Sequence, residues 1–289
     1  MKGFLAAVDR STWLSQTVPI ALTVVVLGVL ITLLHLSITV FNRIPFSIPI
    51  VLHIRSFDIL VGATIYLKTS IDFAIFMGRL MSTYPGWKNR VAIEVGTAAG
   101  NAIGTILIIG LWVVFKNIHL LLGLMVLIAA LVLFELAQSS LVHFRSWMHG
   151  KPLKKISYVF LDRFLTAINT LTKPVLSKIM PDLGEKLLGK EHLSWKKLLE
   201  FATTVPFILG LDDFAGYVPL FTIVNVYGFA IGVIGAHTLL NICLFLSPNR
   251  TIEAVKNEYI SFAGTVAFIG LALYGLWETG RILLETTLH

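Results

Sequence analysis

Cysteine, charged residues and the common catalytic motifs are all scarce in this sequence of 289 residues. The single cysteine, Cys243, has no second cysteine with which to form a disulfide or a thiolate metal cluster. The sequence also lacks His-Glu-x-x-His, Gly-x-Ser-x-Gly and phosphate-binding Gly-Lys patterns. These absences exclude a disulfide framework and remove the usual signs of a zinc protease, a serine hydrolase or a nucleotide-binding enzyme. We therefore expect neither an enzyme nor a resident cofactor.

Charged residues make up only 13% of the chain and hydrophobic residues 56%, and the mean hydropathy is +0.84. Soluble domains carry roughly 25% charged residues. The composition therefore predicts an all-α, polytopic membrane protein in contact with a lipid bilayer. The net charge of +7 comes from basic residues in the connections between apolar runs, which is typical of membrane orientation and does not indicate nucleic-acid binding.

Seven apolar runs are long enough to cross a bilayer. We predict spans at about Thr17–Phe41, Ser56–Met81, Val91–Phe115, Ile118–Val142, Leu198–Ile223, Tyr227–Leu246 and Tyr259–Leu284. The segment 145–197 between the fourth and fifth spans carries eleven Lys or Arg and four acidic residues. Within it, 156–171 and 175–188 have the apolar spacing of amphipathic helices at a membrane surface, where the basic residues would contact anionic lipids.

Basic residues also predict the orientation. With seven spans and a cytoplasmic segment 145–197, eighteen of the 23 Lys and Arg lie on the cytoplasmic side together with the N-terminus. We therefore expect an integral protein of a bacterial cytoplasmic membrane with a cytoplasmic N-terminus.

This topology gives spans 2 to 4 and spans 5 to 7 opposite orientations. At an ungapped offset of 140 residues, Asp72 falls on Asp212 and Asn101 on Asn241. Small residues recur at four-residue spacing in spans 3 and 6, which permits close helix packing; they are Ala92, Gly96, Gly100 and Gly104, and Gly228, Gly232 and Ala236. We predict an N-terminal span and connection (1–55), a first three-helix repeat (56–144), the basic segment (145–197) and a second, inverted repeat (198–289).

Acidic residues inside the apolar runs are the strongest functional signal. Asp212 and Asp213 interrupt one run, and Asp72 lies in another. An ionised side chain at bilayer depth costs about 3 kcal/mol on insertion scales, so such residues are functional candidates by default. Polar residues of the same or neighbouring spans complete the candidate set, namely Lys68, Thr69, Thr97, Asn101, His237 and Asn241.

Both acidic motifs share Asp-Phe-Ala: residues 70–74 read Ser-Ile-Asp-Phe-Ala, and residues 210–215 read Gly-Leu-Asp-Asp-Phe-Ala. Two three-helix halves with such a motif in the first helix of each resemble the LysE superfamily of exporters. The similarity is greatest to its cation branches, the cadmium-resistance, manganese-exporter and TerC-like proteins. The resemblance implies a cation site shared between the halves at Asp72, Asp212 and Asp213. We add Asn101 and Asn241 as ligands, and Lys68, Thr69, Thr97 and His237 as supporting or coupling residues.

The candidate ligands are mainly oxygen atoms, which favour Mn or Ca over Cu or Cd. Three ionised aspartates and one ionised Lys68 sum to minus two, which a single divalent cation neutralises. Like charges held together favour protonation when the cation leaves. The sequence thus predicts a secondary transporter that exports a divalent cation in exchange for protons, with the site at the interface of inverted repeats.

Several alternatives stay open. Lys68 and Asp72, four residues apart, are placed to pair within one helix, and the asparagines and His237 are equally consistent with helix packing. Asp58, Glu94 and Glu200 lie near predicted span ends, where we expect solvated side chains. An amino-acid or other small-solute exporter of the same superfamily, with Lys68 holding a carboxylate, and a non-transporting scaffold or accessory subunit are the alternative functions. The sequence leaves the oligomeric state open.

Overall fold

The computed structural model describes residues 12–45, 48–144, 152–179, 193–255 and 257–287; among these, side chains are not described at 12, 71–72, 142–144, 152–157, 175–179, 208–216, 255, 258–261 and 285–287. Every regular element in these residues is helical. In chain order the α-helices are α1 (Thr12–Phe41), α2 (Ser56–Thr69), α3 (Ile71–Thr83), α4 (Trp87–Phe115), α5 (His119–Phe144), α6 (Pro152–Ile179), α7 (Trp195–Tyr217), α8 (Val226–Leu246), α9 (Pro248–Val255) and α10 (Glu258–Thr287).

Five of these helices, α1, α4, α5, α8 and α10, are long and apolar enough to cross a membrane. The bent pair of α2 and α3 makes a sixth crossing if the two are counted as one span. The predicted all-α membrane protein is therefore confirmed. The side chains of residues 208–216 in α7 lie outside the described residues, so the count of seven spans stays a prediction.

The second predicted span is not one continuous helix. Ser70 has φ −88° and ψ 19°, outside helical geometry, and separates α2 from α3. The two helices meet at a bend of 67°. The hydroxyl of Thr69 donates to the carbonyls of Ile65 (3.3 Å) and Tyr66 (3.1 Å), and such local bonds compete with the helical ladder. The prediction of an unbroken helix from Ser56 to Met81 was wrong because hydropathy does not register this competition.

Three other features differ from the sequence prediction: the end of the fifth span, the helix of the basic segment and a short helix, α9. The fifth predicted span ends as α-helix at Tyr217 and continues as a 3₁₀ helix, Val218–Thr222, because Pro219 has no N–H to extend the α-helical ladder. Where the structure describes the basic segment around Pro174, one helix, α6, runs through that residue, and the predicted separation of two helices there was wrong. Residues 180–192 lie outside the described residues. The short helix α9 was not predicted.

Helix pairing follows the small residues. The most extensive pairings join α5 to α10, α4 to α7, and α2 to α8. In the second of these, a Cβ added to Gly100 would lie 2.2 Å from the carbonyl oxygen of Thr203. In the third, a Cβ added to Gly232 would lie 2.1 Å from the carbonyl oxygen of Ile59. Only glycine permits these backbones to approach so closely, as the predicted stripes of small residues anticipated. No described atom lies within 4 Å of a Cβ added to Gly104, so among the described residues it takes no part in such a contact.

Helix α1 lies at the periphery and contacts α4 and α8. Its buried residues form one stripe along the helix, while the remaining faces expose apolar side chains. The stripe consists of Pro19, Thr23, Leu30, Leu34 and Ile38. A helix with this pattern suits a position between the protein core and lipid.

Asp58, at the start of α2, joins that helix to the start of α8. Its side chain is 0% exposed. The carboxylate accepts two hydrogen bonds from Arg55, at 2.7 and 3.0 Å, and one from the N–H of Asn225 at 3.1 Å. The hydrogen bond and the charge of Asp58 raise the pKa of the Arg55 guanidinium. The expectation of a solvated Asp58 was wrong, because α8 covers the residue.

Candidate functional site

The break between α2 and α3 is where the predicted site residues concentrate. Lys68 lies in the last turn of α2, and Asp72 is the second residue of α3. A cation at a helix C-terminus and an anion at a helix N-terminus are each favoured by the helix dipole. The break therefore places both residues at ends that suit their charges. The side chain of Asp72 lies outside the described residues.

A chain of buried polar side chains begins one turn before the break. The hydroxyl of Tyr66 lies 2.6 Å from Nδ1 of His237. The other imidazole nitrogen, Nε2, lies 3.0 Å from Nδ2 of Asn241. The same amide nitrogen donates to the hydroxyl of Thr97 at 3.1 Å, and Thr97 donates to the carbonyl of Glu94 at 3.2 Å. We call Tyr66, His237, Asn241 and Thr97 the polar network; it connects α2, α8 and α4.

The tautomer of His237 follows from its neighbours. An amide NH₂ only donates, so Nε2 facing Asn241 accepts, and Nδ1 carries the proton and donates to Tyr66. The ring of Phe73, in the first turn of α3, packs against the imidazole with its centroid 5.2 Å away. A neutral imidazole held between two helices in this way serves as both donor and acceptor.

One oxygen of the polar network is unused. Asn241 is 0% exposed, and its Oδ1 has no hydrogen-bond partner among the described residues. One turn after Thr97, Asn101 is also buried, and its Nδ2 likewise has no partner in the described part of the chain. Buried polar atoms without partners cost about 1–3 kcal/mol each. The two amides are therefore available to a small polar ligand, ion or water.

Lys68 lies on the opposite side of α2 from the α8 contact and packs against α10. A Cβ added to Gly264 of α10 would lie 3.0 Å from Cδ of Lys68 and 3.4 Å from its Nζ. Among the described residues, the hydroxyl of Thr69 bonds to carbonyls of its own helix. The structure thus brings Thr97, His237 and Asn241 together, sets Asn101 beside them on α4, and places Lys68 and Thr69 at the break.

The three predicted aspartates are placed only by their backbones. Asp212 and Asp213 lie in the last two turns of α7, and their side chains, like that of Asp72, lie outside the described residues. Within the described side chains, no group of three or more His, Cys, Asp and Glu is arranged to hold a metal ion. The gathering of the aspartates around a cation stays a prediction.

Sequence reasoning missed Tyr66 and misplaced Glu94. Tyr66 reads as one more apolar residue of an apolar run. Glu94 was expected to be solvated, yet it is 1% exposed and packs against Thr23 of α1. Glu200, by contrast, is exposed as expected. The burial of Glu94 depends on α1, which lies far away in sequence. The local sequence does not indicate this burial, because Arg90 four residues earlier is spaced for an ion pair at the surface.

No protein-family model matches the chain, and no curated protein or solved structure matches it either.

Proposed function

We propose that this protein is a secondary transporter that exports a divalent metal cation of the Mn or Ca class in exchange for protons. The observation that carries the proposal is the break at Ser70 beside the buried polar network. Broken helices at membrane depth are tolerated only where the freed backbone is covered by protein or lines a cavity. In transporters such breaks form the substrate site.

Helix pairing supports two inverted repeats. Suppose that α2 to α5 form one repeat and α7, α8 and α10 the other, so that α2 corresponds to α7, α4 to α8 and α5 to α10. A two-fold rotation that exchanges the repeats then carries the contact of α4 with α7 onto the contact of α8 with α2. It carries the contact of α5 with α10 onto itself. These are the three most extensive pairings of the molecule. A two-fold relation of this kind accounts for all three with one operation, and alternating access then follows from motion of one repeat against the other.

The polar network supports a site at the repeat interface. At the offset of 140 residues, Thr97 and Asn101 on α4 fall on His237 and Asn241 on α8. Each pair spans one helical turn, and the two pairs meet through the bond between Thr97 and Asn241. An approximate two-fold axis between α4 and α8 would place the site between the two pairs.

The ligand chemistry supports a hard cation. Asp72, Asp212 and Asp213 supply carboxylates, the asparagines supply amide oxygens, and the end of α2 supplies backbone carbonyls. Oxygen donors suit Mn and Ca. A specific observation also favours a second candidate, a zwitterionic organic solute such as an amino acid. Lys68 and the N-terminus of α3 lie together at the break, and both attract a carboxylate.

Flux into proteoliposomes tests the proposal. The purified protein should carry Mn²⁺ down its gradient and move protons in the opposite direction. Asp72→Asn and Asp212→Asn should each reduce Mn²⁺ flux by at least tenfold, whereas Glu200→Gln, a carboxylate exposed on α7, should leave it unchanged. Full Mn²⁺ flux in the Asp72→Asn, Asp212→Asn double variant would refute the site. Flux of a labelled amino acid without Mn²⁺ flux would favour the second candidate.

A further inference from the structure

Glu94 is a buried carboxyl group that the proposed cation site does not use. It lies on α4 where α1 packs, and it is 1% exposed. Its Oε2 contacts the hydroxyl of Thr23 on α1, which is 2% exposed. Its Oε1 has no hydrogen-bond partner among the described residues. An ion taken out of water costs several kcal/mol unless it is paired and hydrogen-bonded.

Proton counting indicates which form of Glu94 occupies this position. The hydroxyl of Thr23 also bonds to the carbonyl of Pro19 at 3.0 Å. A hydroxyl has one proton, whereas a carbonyl and a carboxylate can only accept. An ionised Glu94 shares that one proton with the carbonyl of Pro19, whereas a protonated Glu94 donates to Thr23 and leaves the hydroxyl proton to Pro19. The geometry therefore fits the protonated carboxylic acid.

One charged group near Glu94 acts against this assignment: Arg90, one turn earlier on α4, carries a positive charge that favours the carboxylate. Arg90 nevertheless forms no described ion pair with Glu94. Its guanidinium lies over the ring of Phe245 on α8, 4.9 Å from the centroid, and Nε of Arg90 is buried with no partner in the described residues. Helix α1 has no Asp, Glu, Lys or Arg. On α7, the nearby charged residues Lys196, Lys197 and Glu200 are exposed, and His237 of α8 is bound in the polar network.

We propose that Glu94, in place of the clustered aspartates, is the proton-binding site of the transporter, closed off from lipid by α1 and separate from the cation ligands. This inference rests on the proposed function. In the state described here Glu94 is protonated. When α1 and α4 move apart, its O–H bond breaks, the proton leaves to water, and the carboxylate pairs with Arg90, which is correctly spaced for an ion pair on one helix. No other bond forms or breaks.

The polar network links this proton site to the break. Thr97 bonds to the backbone carbonyl of Glu94 and to Asn241, and the network continues through His237 to Tyr66. A shift of α4 that frees Glu94 from Thr23 therefore also moves Thr97 relative to α8. Cation binding at the break and proton release at Glu94 are coupled through one helix.

Infrared spectroscopy tests whether Glu94 holds a proton. In the full-length protein at neutral pH, the spectrum of the wild type minus that of Glu94→Gln should contain a carbonyl band of a protonated carboxyl, and the spectrum of the wild type minus that of Glu200→Gln should lack it. Glutamine keeps the size of glutamate and can donate to Thr23, so we expect the variant to fold. If it does not fold, Thr23→Val should shift the band to that of a carboxyl without a hydrogen-bond partner. An unchanged band in Glu94→Gln, or in Thr23→Val, would overturn the inference.

Transport measurements separate this inference from the proposed function. In proteoliposomes with an inward Mn²⁺ gradient, Glu94→Gln should lower the number of protons moved per Mn²⁺ by at least tenfold relative to Glu200→Gln. An unchanged proton count would overturn the coupling role of Glu94. If the wild type moves no Mn²⁺, the proposed function fails, while the infrared band still decides whether Glu94 binds a proton.

Discussion

The amide of Asn241 on α8 donates to the hydroxyl of Thr97 on α4 at 3.1 Å. Thr97 and Asn241 are both fully buried, and 144 residues separate them in the chain. This one bond joins the central helices of the two proposed repeats. It also places the Asn241 oxygen that has no described partner at the helix interface, where a ligand of the proposed site would lie.

A double-mutant cycle measures this bond. Thr97→Val and Asn241→Ala should each lower the free energy of unfolding, and their coupling energy should be about 0.6 kcal/mol and no more than about 1.7 kcal/mol, as for other hydrogen bonds between membrane helices. The matched control combines Thr97→Val with Thr238→Val. Thr238 bonds to Ile234 within α8, so these two effects should add. Unfolding in mixed micelles gives the values, and zero coupling between Thr97 and Asn241 contradicts the bond.

Part of the network could be predicted from the sequence. Its members Thr97, His237 and Asn241 stand out because polar residues are rare in apolar runs, and so does the neighbouring Asn101; the offset of 140 residues relates Thr97 and Asn101 to His237 and Asn241. Tyr66 could not be found in this way, because the tyrosine ring is apolar and only its hydroxyl takes part in the network. Its role depends on the rotation of α2 about its axis, which α8 fixes through the close approach at Gly62 and Gly232.

The break at Ser70 lies beyond what hydropathy predicts. Residues 56–83 read as one apolar run, and Thr69 and Ser70 are common in membrane helices. The helix breaks here because the Thr69 hydroxyl bonds to a carbonyl of its own helix and because Phe73, on the other side of the break, packs on His237. Hydropathy reports neither interaction. In the same way, the burial of Asp58 and Glu94 depends on α8 and α1, which the local sequence does not specify.

Arg55→Ala should destabilise the protein although the arginine is exposed. Without it, the buried carboxylate of Asp58 retains one described donor, the N–H of Asn225, and loses two hydrogen bonds from a charged partner. We expect a loss of about 1–3 kcal/mol in the free energy of unfolding. Arg43→Ala, an exposed residue of the same connection, should change it by less than about 0.5 kcal/mol. Equal unfolding curves for the two variants would contradict the role of Asp58 as a joint between α2 and α8.

The predicted topology places the basic helix α6 and the C-terminus on opposite sides of the membrane. In a Cys243→Ser background, Lys173→Cys should react with a membrane-impermeant thiol reagent only from the cytoplasmic side, because Lys173 is exposed on α6 and basic segments stay inside. His289→Cys should react only from outside. Reaction of both positions from one side would contradict the seven-span topology. Reaction of Lys173→Cys only from outside and of His289→Cys only from the cytoplasmic side would reverse the predicted orientation but agree with seven spans.

Two glycines one turn apart on α4 should respond to alanine in opposite ways. A Cβ at Gly100 would lie 2.2 Å from the carbonyl oxygen of Thr203, a backbone atom that cannot rotate away, whereas no described atom lies within 4 Å of the Cβ position at Gly104. Gly100→Ala must therefore push α4 from α7, at a cost of at least about 1–3 kcal/mol. Gly104→Ala adds a better helix former without displacing a described atom and should stabilise by up to about 1 kcal/mol. Thermal unfolding of the two variants in the same detergent makes the comparison, and a Gly100→Ala protein as stable as Gly104→Ala would contradict the close packing of α4 on α7.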